Sequence, residues 1–296
     1  MAKNYFPSAL HTGVRVLDEK VLHWAWNTGL FEGPAELERC RLHKINWFAG
    51  FLFPEEEAER LELIMKFFLG LFLLDDLLDI TRNSAMMDFL EGMKTGNSMH
   101  DNSRIQILGT NLLQLHKVME SYYTDSSSDR WCYSWLEYLQ ALQWEMRIKM
   151  EGIKPPLEEY RINRPKTSGV YLALLLIRQG KDVGGCISEL LEFTMARYIY
   201  LSNDLASYTK ELAIGDPHNE IILLMESMGD IAVAWVQQEV RQLRKRILGL
   251  ADQVGSNFES CSEWISRLLL LAGGCEAWTA ETSRYQNYIN GKLGAH

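Results

Sequence analysis

A run of acidic residues ends one of the most apolar segments of the chain. The segment FFLGLFLLDDLLDI contains Asp75, Asp76 and Asp79 at its C-terminal end. In a helix these positions are three or four residues apart, so the carboxylates share one surface. Like charges repel one another there, and the negative end of the helix dipole adds to the cost. A bound cation would reverse the sign of that energy, and carboxylates without His or Cys nearby point to Mg²⁺. An exposed, solvated acidic helix end explains the same residues equally well.

A second polar pattern lies in the segment MARYIYLSNDLASYTKEL. Asn203, Ser207 and Glu211 follow one another at intervals of four residues, which stacks an amide oxygen, a hydroxyl and a carboxylate along one stripe of a helix. Together these oxygens could bind a single divalent ion. Taken alone, the pattern is better explained as the polar face of an amphipathic helix.

Long helices must position both patterns, because proline and strand signals are scarce. The seven prolines leave residues 55–154 and 218–296 free of proline, and alternation of apolar and polar residues is hard to find. We expect an all-α fold and, since the sequence has no internal repeat or shift in composition, one domain over residues 1–296. The predicted helices cover 15–28, 36–50, 55–82, 103–122, 129–151, 169–179, 186–211, 219–226, 229–253 and 258–290.

The composition excludes several classes of protein. With 47% hydrophobic and 23% charged residues the chain can form a core, which rules out wholesale disorder. A net charge of -9 argues against a nucleic-acid partner, since phosphate binding needs a basic face. The five cysteines show no zinc-ligand spacing, and no apolar run reaches the roughly 18 residues of a membrane span. We expect a soluble, cytoplasmic protein.

Together and in this order, the two polar patterns resemble the metal-binding pair of class I terpene synthases. Arg164, Thr167 and Gly169 fit the Arg-x-x-Thr-x-Gly spacing around the diphosphate-sensing arginine of that family. Near the C-terminus, Arg284 and Tyr285 resemble its terminal Arg-Tyr pair. The N-terminal stretch, with FLFPEEEAERL, is also similar to microbial members, so that the resemblance covers essentially the whole chain.

The resemblance implies a microbial, single-domain class I terpenoid synthase bundle of about ten or more helices around a central active-site cavity. It implies three Mg²⁺ ions that neutralise the diphosphate group of a prenyl diphosphate. The diphosphate then leaves by heterolysis of the carbon–oxygen bond, and the prenyl group becomes an allylic carbocation. In this family Asp76 more often pairs with the sensing arginine, and Asp79 varies. The implied metal ligands are Asp75, Asn203, Ser207 and Glu211, with Asp76 and Asp79 as further candidates.

The resemblance also implies which side chains bind the diphosphate. The residues concerned are Arg164, Lys210, Arg284 and Tyr285. Arg161 competes with Arg164 for the role of sensor, because Pro165 follows Arg164 directly. Since a proline disfavours helical geometry in the residue before it, we expect a helix break at Arg164.

A carbocation must meet no water until the reaction ends, so the pocket should be apolar and aromatic. Aromatic faces also stabilise positive charge. For any single residue of the set, ordinary core packing is an equally simple explanation, so the prediction concerns the group. The predicted lining residues are Phe67, Phe68, Leu71, Phe72, Thr167, Ser168, Gly169, Tyr198, Leu201 and Trp278.

Several alternatives stay open within this interpretation. A fifteen-carbon farnesyl diphosphate would give a sesquiterpene, and a twenty-carbon geranylgeranyl diphosphate would give a diterpene. A non-catalytic helical scaffold or ligand-binding protein could retain the same fold. Chain-elongating prenyl diphosphate synthases carry a second Asp-rich motif, where this chain reads Asn-Asp-x-x-Ser-x-x-x-Glu. The sequence leaves open the product skeleton and whether loss of a proton or addition of water ends the reaction. It also leaves open the oligomeric state, for which a homodimer is one option.

Overall fold

The computed structural model describes residues 5–123, 125–178, 183, 185–257 and 259–285. Within these ranges the chain is helical and has no β-strand, which confirms the all-α prediction. The helices are α1 (Val14–Asn27), α2 (Pro34–Leu42), α3 (Ile45–Leu52), α4 (Ala58–Ile80), α5 (Ser84–Lys94), α6 (Ser103–Glu120), α7 (Asp125–Glu151), α8 (Leu157–Thr167), α9 (Val170–Arg178), α10 (Cys186–Ile214), α11 (Glu220–Met228), α12 (Ile231–Asn257) and α13 (Ser262–Glu281), with a short 3-10 helix (Glu259–Cys261) before the last.

Helices α4 and α10 form the middle of the bundle. Helix α4 packs against α1, α3 and α6, and α10 packs against α8, α9, α11, α12 and α13. Twelve residues of α4 are buried, from Leu61 to Leu78, because a helix that is apolar nearly all round has no face to place in water. The acidic motif therefore lies at the C-terminal end of a central helix, not of a surface helix.

The predicted helices differ from the observed ones in one division, two omissions and one C-terminal end. The predicted helix 36–50 is divided into α2 and α3, because Lys44 adopts a left-handed conformation with φ 52°. The prediction also missed α5 and α8, whose sequences are short or dominated by charged residues. The predicted helix 258–290 ends at Glu281, and residues 286–290 lie outside the described part.

The expected helix break at Arg164 was also wrong. Helix α8 includes Pro165 and continues to Thr167. Pro165 can donate no hydrogen bond to the carbonyl four residues earlier, but the helix ends within one turn of it, so little of the ladder is lost. The chain leaves the helix at Gly169, whose φ of 67° is one that glycine adopts without strain.

The corner between α2 and α3 holds the C-terminal end of α13. Trp278 Nε1 donates to the carbonyl of Lys44 at 2.8 Å, and Thr282 Oγ1 donates to the carbonyl of His43 at 2.7 Å. Ser283 Oγ donates to the carbonyl of Leu42 at 3.2 Å. The direction in which the chain leaves α13 is thus fixed by backbone oxygens of this corner.

The N-terminal segment of the chain packs closely against α13 at Gly273. A Cβ on Gly273 would lie 1.9 Å from the carbonyl oxygen of Pro7 and 2.9 Å from that of Phe6. Tyr5 N donates to Glu276 Oε2 at 2.8 Å. Glycine at position 273 is therefore what lets this segment pack against α13.

None of the helices in the described part of the chain combines the length and the apolar character that a membrane crossing requires.

Candidate active site

A cavity of about 1060 Å³ lies between α4, α8, α10 and α13. On α4 the residues that face it recur at intervals of three and four, as one helical stripe requires: Phe68, Leu71, Phe72, Asp75 and Asp79. The stripe is aromatic and aliphatic along two turns and acidic at its end. The acidic motif and the apolar wall therefore belong to the same cavity.

Most of the predicted lining residues do face this cavity. Phe67 and Leu201 do not, and both are fully buried in the core. Phe67 precedes the stripe by one position, about 100° round the helix, and packs against Trp131 and Trp135. The predicted residues that the structure places in the lining are Phe68, Leu71, Phe72, Thr167, Ser168, Gly169, Tyr198 and Trp278.

Phe48 is an important lining residue that sequence reasoning missed. Its ring makes edge contacts with Phe68 and Phe72 at 5.5 Å and with Trp278 at 4.9 Å between centroids. Edge-to-face packing of this kind orients the rings and gives the cavity a continuous aromatic wall. No sequence signal distinguished Phe48, because it lies in a short helix that is apolar at every position except Asn46.

Asp75 faces the cavity with a carboxylate that is half exposed to it. Burial within the surrounding protein and the charge of Asp79 raise the pKa of Asp75 to about 7, against the opposing effect of Arg284, whose Nη2 lies 3.3 Å away. The local charge balance therefore disfavours the carboxylate in the absence of a further cation.

Asp76 is surrounded by two arginines. Arg284 Nη2 donates to it at 2.8 Å and Arg39 Nη1 at 2.6 Å. Burial alone would raise the pKa of Asp76, but the two guanidinium groups hold it below its usual value. The pairing of Asp76 with Arg164, which the resemblance implied, is not the one observed, because Arg284 and Arg39 occupy both carboxylate oxygens.

Asp79 belongs to a buried ion-pair cluster around Lys149. Lys149 Nζ lies 2.7 Å from Asp79, 2.8 Å from Glu145 and 3.0 Å from Asp216, and its side chain is only 6% exposed. Burial alone would lower the pKa of Lys149, but the three carboxylates raise it well above its usual value. Sequence reasoning singled out Asp79 but missed its partners, since Lys149, Glu145 and Asp216 lie far from it in the chain and fit no motif.

Arg164 joins α8 to the polar stripe of α10. Its Nη2 donates to Asn203 Oδ1 and its Nε to Asp204 Oδ1, both at 2.9 Å. Asn203 Nδ2 in turn donates to the hydroxyl of Tyr285 at 3.0 Å. Arg161 instead pairs with Glu220 at 2.8 Å and lines a groove outside the cavity. The geometry therefore favours Arg164 over Arg161 as the arginine of this site.

Ser207 and Glu211 share a partner that the sequence did not reveal. Asn219 Nδ2 donates to Glu211 Oε2 at 2.6 Å and lies 3.5 Å from Ser207 Oγ. The same amide caps α11, since its Oδ1 accepts from the backbone N–H of Ile221. Burial and the charge of Asp204 raise the pKa of Glu211 to about 7.

The two motifs can bind a divalent ion only if carboxylate, amide and hydroxyl oxygens act together as ligands. Within the described residues, no three His, Cys, Asp or Glu side chains converge into a metal site by themselves. The amide of Asn203 and the hydroxyl of Ser207 would therefore be needed beside the carboxylates. Asp75, Asn203, Ser207, Glu211, Lys210, Arg164, Arg284 and Tyr285 all line the one cavity.

Comparison with known proteins identifies the family of the chain. The family model described as terpene synthase family 2, C-terminal metal binding, matches residues 66–246, more than half of the chain. A 4-epi-cubebol synthase from Streptosporangium roseum, which cyclises (2E,6E)-farnesyl diphosphate, is 22% identical over 95% of this chain and 88% of its own. A germacrene A synthase from Nostoc punctiforme is 24% identical over 95% of this chain and 93% of its own.

Solved structures share the fold. Wild-type cucumene synthase superposes with a TM-score of 0.78 at 18% identity, over 94% of this chain and 99% of its own. A linalool/nerolidol synthase from Streptomyces clavuligerus, in complex with 2-fluorogeranyl diphosphate, gives 0.79 at 17% identity, over 96% and 100%. From the matched family model, this chain belongs to the terpene synthase family, enzymes that depend on a divalent metal and act on a prenyl diphosphate.

Proposed function

We propose that this terpene synthase is a single-domain, Mg²⁺-dependent class I enzyme that ionises farnesyl diphosphate and cyclises the carbocation to a sesquiterpene. One observation supports the proposal above the others. Carboxylates of α4, oxygen ligands of α10 and the arginines Arg164 and Arg284 surround one end of a cavity whose remaining wall is largely apolar and aromatic. Such a cavity separates a polar site for a diphosphate from a dry site for a hydrocarbon chain.

The donor set fits magnesium. Carboxylate, amide and hydroxyl oxygens are hard ligands, and Mg²⁺ keeps several waters and bridges protein carboxylates to phosphate oxygens. We expect Asp75, Asn203, Ser207 and Glu211 to hold the ions, three in number, with the substrate diphosphate. When bound, the metal would neutralise the diphosphate and stabilise it as a leaving group.

The basic residues of the cavity would bind the same diphosphate. Arg284 donates to Asp75 and Asp76, and Arg164 donates to Asn203 and Asp204. Both guanidinium groups are planar forks that suit phosphate oxygens, and they are already placed beside the implied metal ligands. Lys210 and the hydroxyl of Tyr285 line the cavity next to them. These four side chains hold the diphosphate in one orientation while its carbon–oxygen bond breaks.

The wall then controls what the carbocation can reach. Phe48, Phe68, Phe72 and Trp278 present ring surfaces to the cavity, which attract positive charge and offer no nucleophile. The volume of about 1060 Å³ accommodates a fifteen-carbon chain with room to fold on itself. It also leaves space for a twenty-carbon chain, so geranylgeranyl diphosphate is the second candidate substrate.

The decisive experiment compares substrates and metal-site variants. Purified protein is incubated with Mg²⁺ and with ten-, fifteen- or twenty-carbon prenyl diphosphates, and released diphosphate and volatile products are measured. We expect turnover of farnesyl diphosphate, and a loss of at least about 100-fold in Asn203→Ala. Asp252→Asn, an exposed acidic position of α12, is the matched control and should behave as wild type.

The results separate the alternatives. A hydrocarbon from the twenty-carbon substrate alone would identify a diterpene synthase. An intact protein that releases no diphosphate from any of the three would point to a scaffold that retains the fold. A cytoplasmic location and a homodimer stay predictions from the sequence.

A further inference from the structure

A second polar cluster lies in the wall of the same cavity, apart from the acidic motifs. Tyr198, Arg244 and Glu276 come from α10, α12 and α13, and all three line the cavity. The Tyr198 hydroxyl donates to Glu276 Oε1, and Arg244 Nη2 donates to the same oxygen at 2.9 Å. Binding and ionisation of the diphosphate, as proposed above, use none of these side chains.

Helix geometry separates the cluster from the proposed diphosphate site along α10. Tyr198 precedes Asn203 by five residues on α10, which is roughly 7 Å along the axis at 1.5 Å per residue. Phe6, from the N-terminal segment, packs edge-on against the Tyr198 ring at 5.3 Å between centroids. Because the proposed diphosphate site extends from Asn203 toward Glu211, we expect the hydrocarbon part of the substrate on the side of the cavity that the cluster lines.

The carboxylate of Glu276 has capacity for one more proton. A carboxylate offers about four lone-pair positions. Among the described residues three donors use them, namely Tyr198 and Arg244 on Oε1 and the backbone N–H of Tyr5 on Oε2. The side chain is 12% exposed and lines the cavity, so it is not wholly enclosed by protein.

Arg244 balances the charge of Glu276 and fixes its orientation. The guanidinium lies over the rings of Tyr198 at 5.7 Å and Tyr5 at 5.1 Å. The pair is neutral as a whole, so it does not draw the cation away from the diphosphate at the start of the reaction. It still presents a local anionic oxygen to a cation that migrates toward it.

We propose that Glu276 is the base that ends the reaction, by accepting a proton from a carbon next to the cationic carbon. The inference rests on the proposed function. The C–H bond breaks, its electron pair forms a carbon–carbon double bond, and the proton bonds to Oε2 of Glu276, which returns it to water after the product has left. A C–H bond next to a carbocation is extremely acidic, so a carboxylate that already accepts hydrogen bonds is basic enough. Tyr198 and Arg244 are positioning residues, and the product is an alkene.

The test separates ionisation from proton removal. Wild type, Glu276→Gln and Tyr198→Phe are each incubated with Mg²⁺ and farnesyl diphosphate, and released diphosphate and the product mixture are measured. We expect Glu276→Gln to ionise the substrate still, while the share of the main alkene falls at least about tenfold in favour of alcohols or earlier hydrocarbons. Tyr198→Phe should shift the mixture in the same direction by less. Glu263→Gln, on the same helix and also paired with an arginine, is the control and should leave the mixture unchanged.

Each outcome decides the inference. A wild-type product mixture from Glu276→Gln would overturn it. Loss of diphosphate release in a variant that melts like wild type would overturn it too, because the group would then act before the cation forms. If Glu276→Gln does not fold, Tyr198→Phe decides by the same criterion. Failure of the wild type to release diphosphate from any prenyl diphosphate would overturn the proposed function itself.

Discussion

Arg164 Nη2 donates to Asn203 Oδ1 at 2.9 Å, so that the arginine of α8 and the first proposed oxygen ligand of the α10 stripe are in direct contact. A diphosphate that draws this guanidinium toward itself would free Oδ1 of Asn203. The position of the arginine and the availability of a metal ligand are therefore coupled through one hydrogen bond.

Replacement of Arg164 by Met should lower both stability and activity. It removes the charged partner of Asp204, whose side chain is fully buried, although Tyr160 and the backbone of Glu220 still donate to that carboxylate. We expect the free energy of unfolding to fall by about 3 kcal/mol and diphosphate release to be lost. Chemical denaturation and a diphosphate assay measure the two effects. Arg161→Met should retain diphosphate release, and its loss there would reassign the sensor.

The two outer carboxylates of the acidic motif should differ in their effect on catalysis. Asp79→Asn changes a group held by Lys149, whereas Asp75→Asn changes a group that faces the cavity with only a long contact to Arg284. We expect a decrease of at least about 100-fold in diphosphate release for Asp75→Asn and of about tenfold for Asp79→Asn. Equal losses in the two variants would contradict a distinct role for Asp79.

The buried imidazole of His116 should make the protein less stable in acid. Burial lowers the pKa of His116 from 6.5 to about 4, so the folded protein keeps it neutral where the unfolded chain binds a proton. Stability is therefore full above pH 6.5 and falls as the pH decreases toward 4, by up to about 1.4 kcal/mol per pH unit for this group. The slope of the free energy of unfolding against pH should become shallower in His116→Gln. An unchanged slope would show that His116 does not contribute.

Alanine at Gly273 should destabilise the protein, whereas alanine at Gly249 should not. The new Cβ at 273 would meet backbone atoms of Pro7 and Phe6, which cannot move as a flexible side chain can. We expect a loss of about 1–3 kcal/mol. Gly249 lies within α12 with nothing within 4 Å of an added Cβ, and alanine there should stabilise by up to about 1 kcal/mol. Thermal melting compares the two, and a stable Gly273→Ala would show that the N-terminal segment yields easily.

The sequence predicted the elements that follow from periodicity. The stripe Phe68–Leu71–Phe72–Asp75 has helical spacing, and the structure places all four in one wall. The same rule erred by one position at Phe67, since an apolar run gives no sign of which side faces a cavity and which faces the core. Which side of such a helix faces the cavity is set by the helices packed around it, and a single sequence does not identify those helices.

The partners of charged residues could not be predicted for a related reason. Lys149 meets Asp79 and Asp216, and Glu276 meets Tyr198 and Arg244, only because separate helices converge. Lys149, Asp216, Arg244 and Glu276 fit no motif in their own segments. Motif spacing reports contacts within one helix, and the rest of the site depends on packing between helices.

The corner between α2 and α3 has a consequence for fragments of this enzyme. Thr282 donates to the carbonyl of His43, 239 residues earlier in the chain, and Arg284 follows two positions later. A fragment limited to residues 66–246, the matched segment, would keep both acidic and polar motifs but would lack the terminal arginine and the corner that orients it. Transplanting the motif-bearing segment alone into another helical bundle would therefore transfer the proposed metal ligands without Arg284, the guanidinium group that pairs with Asp75 and Asp76.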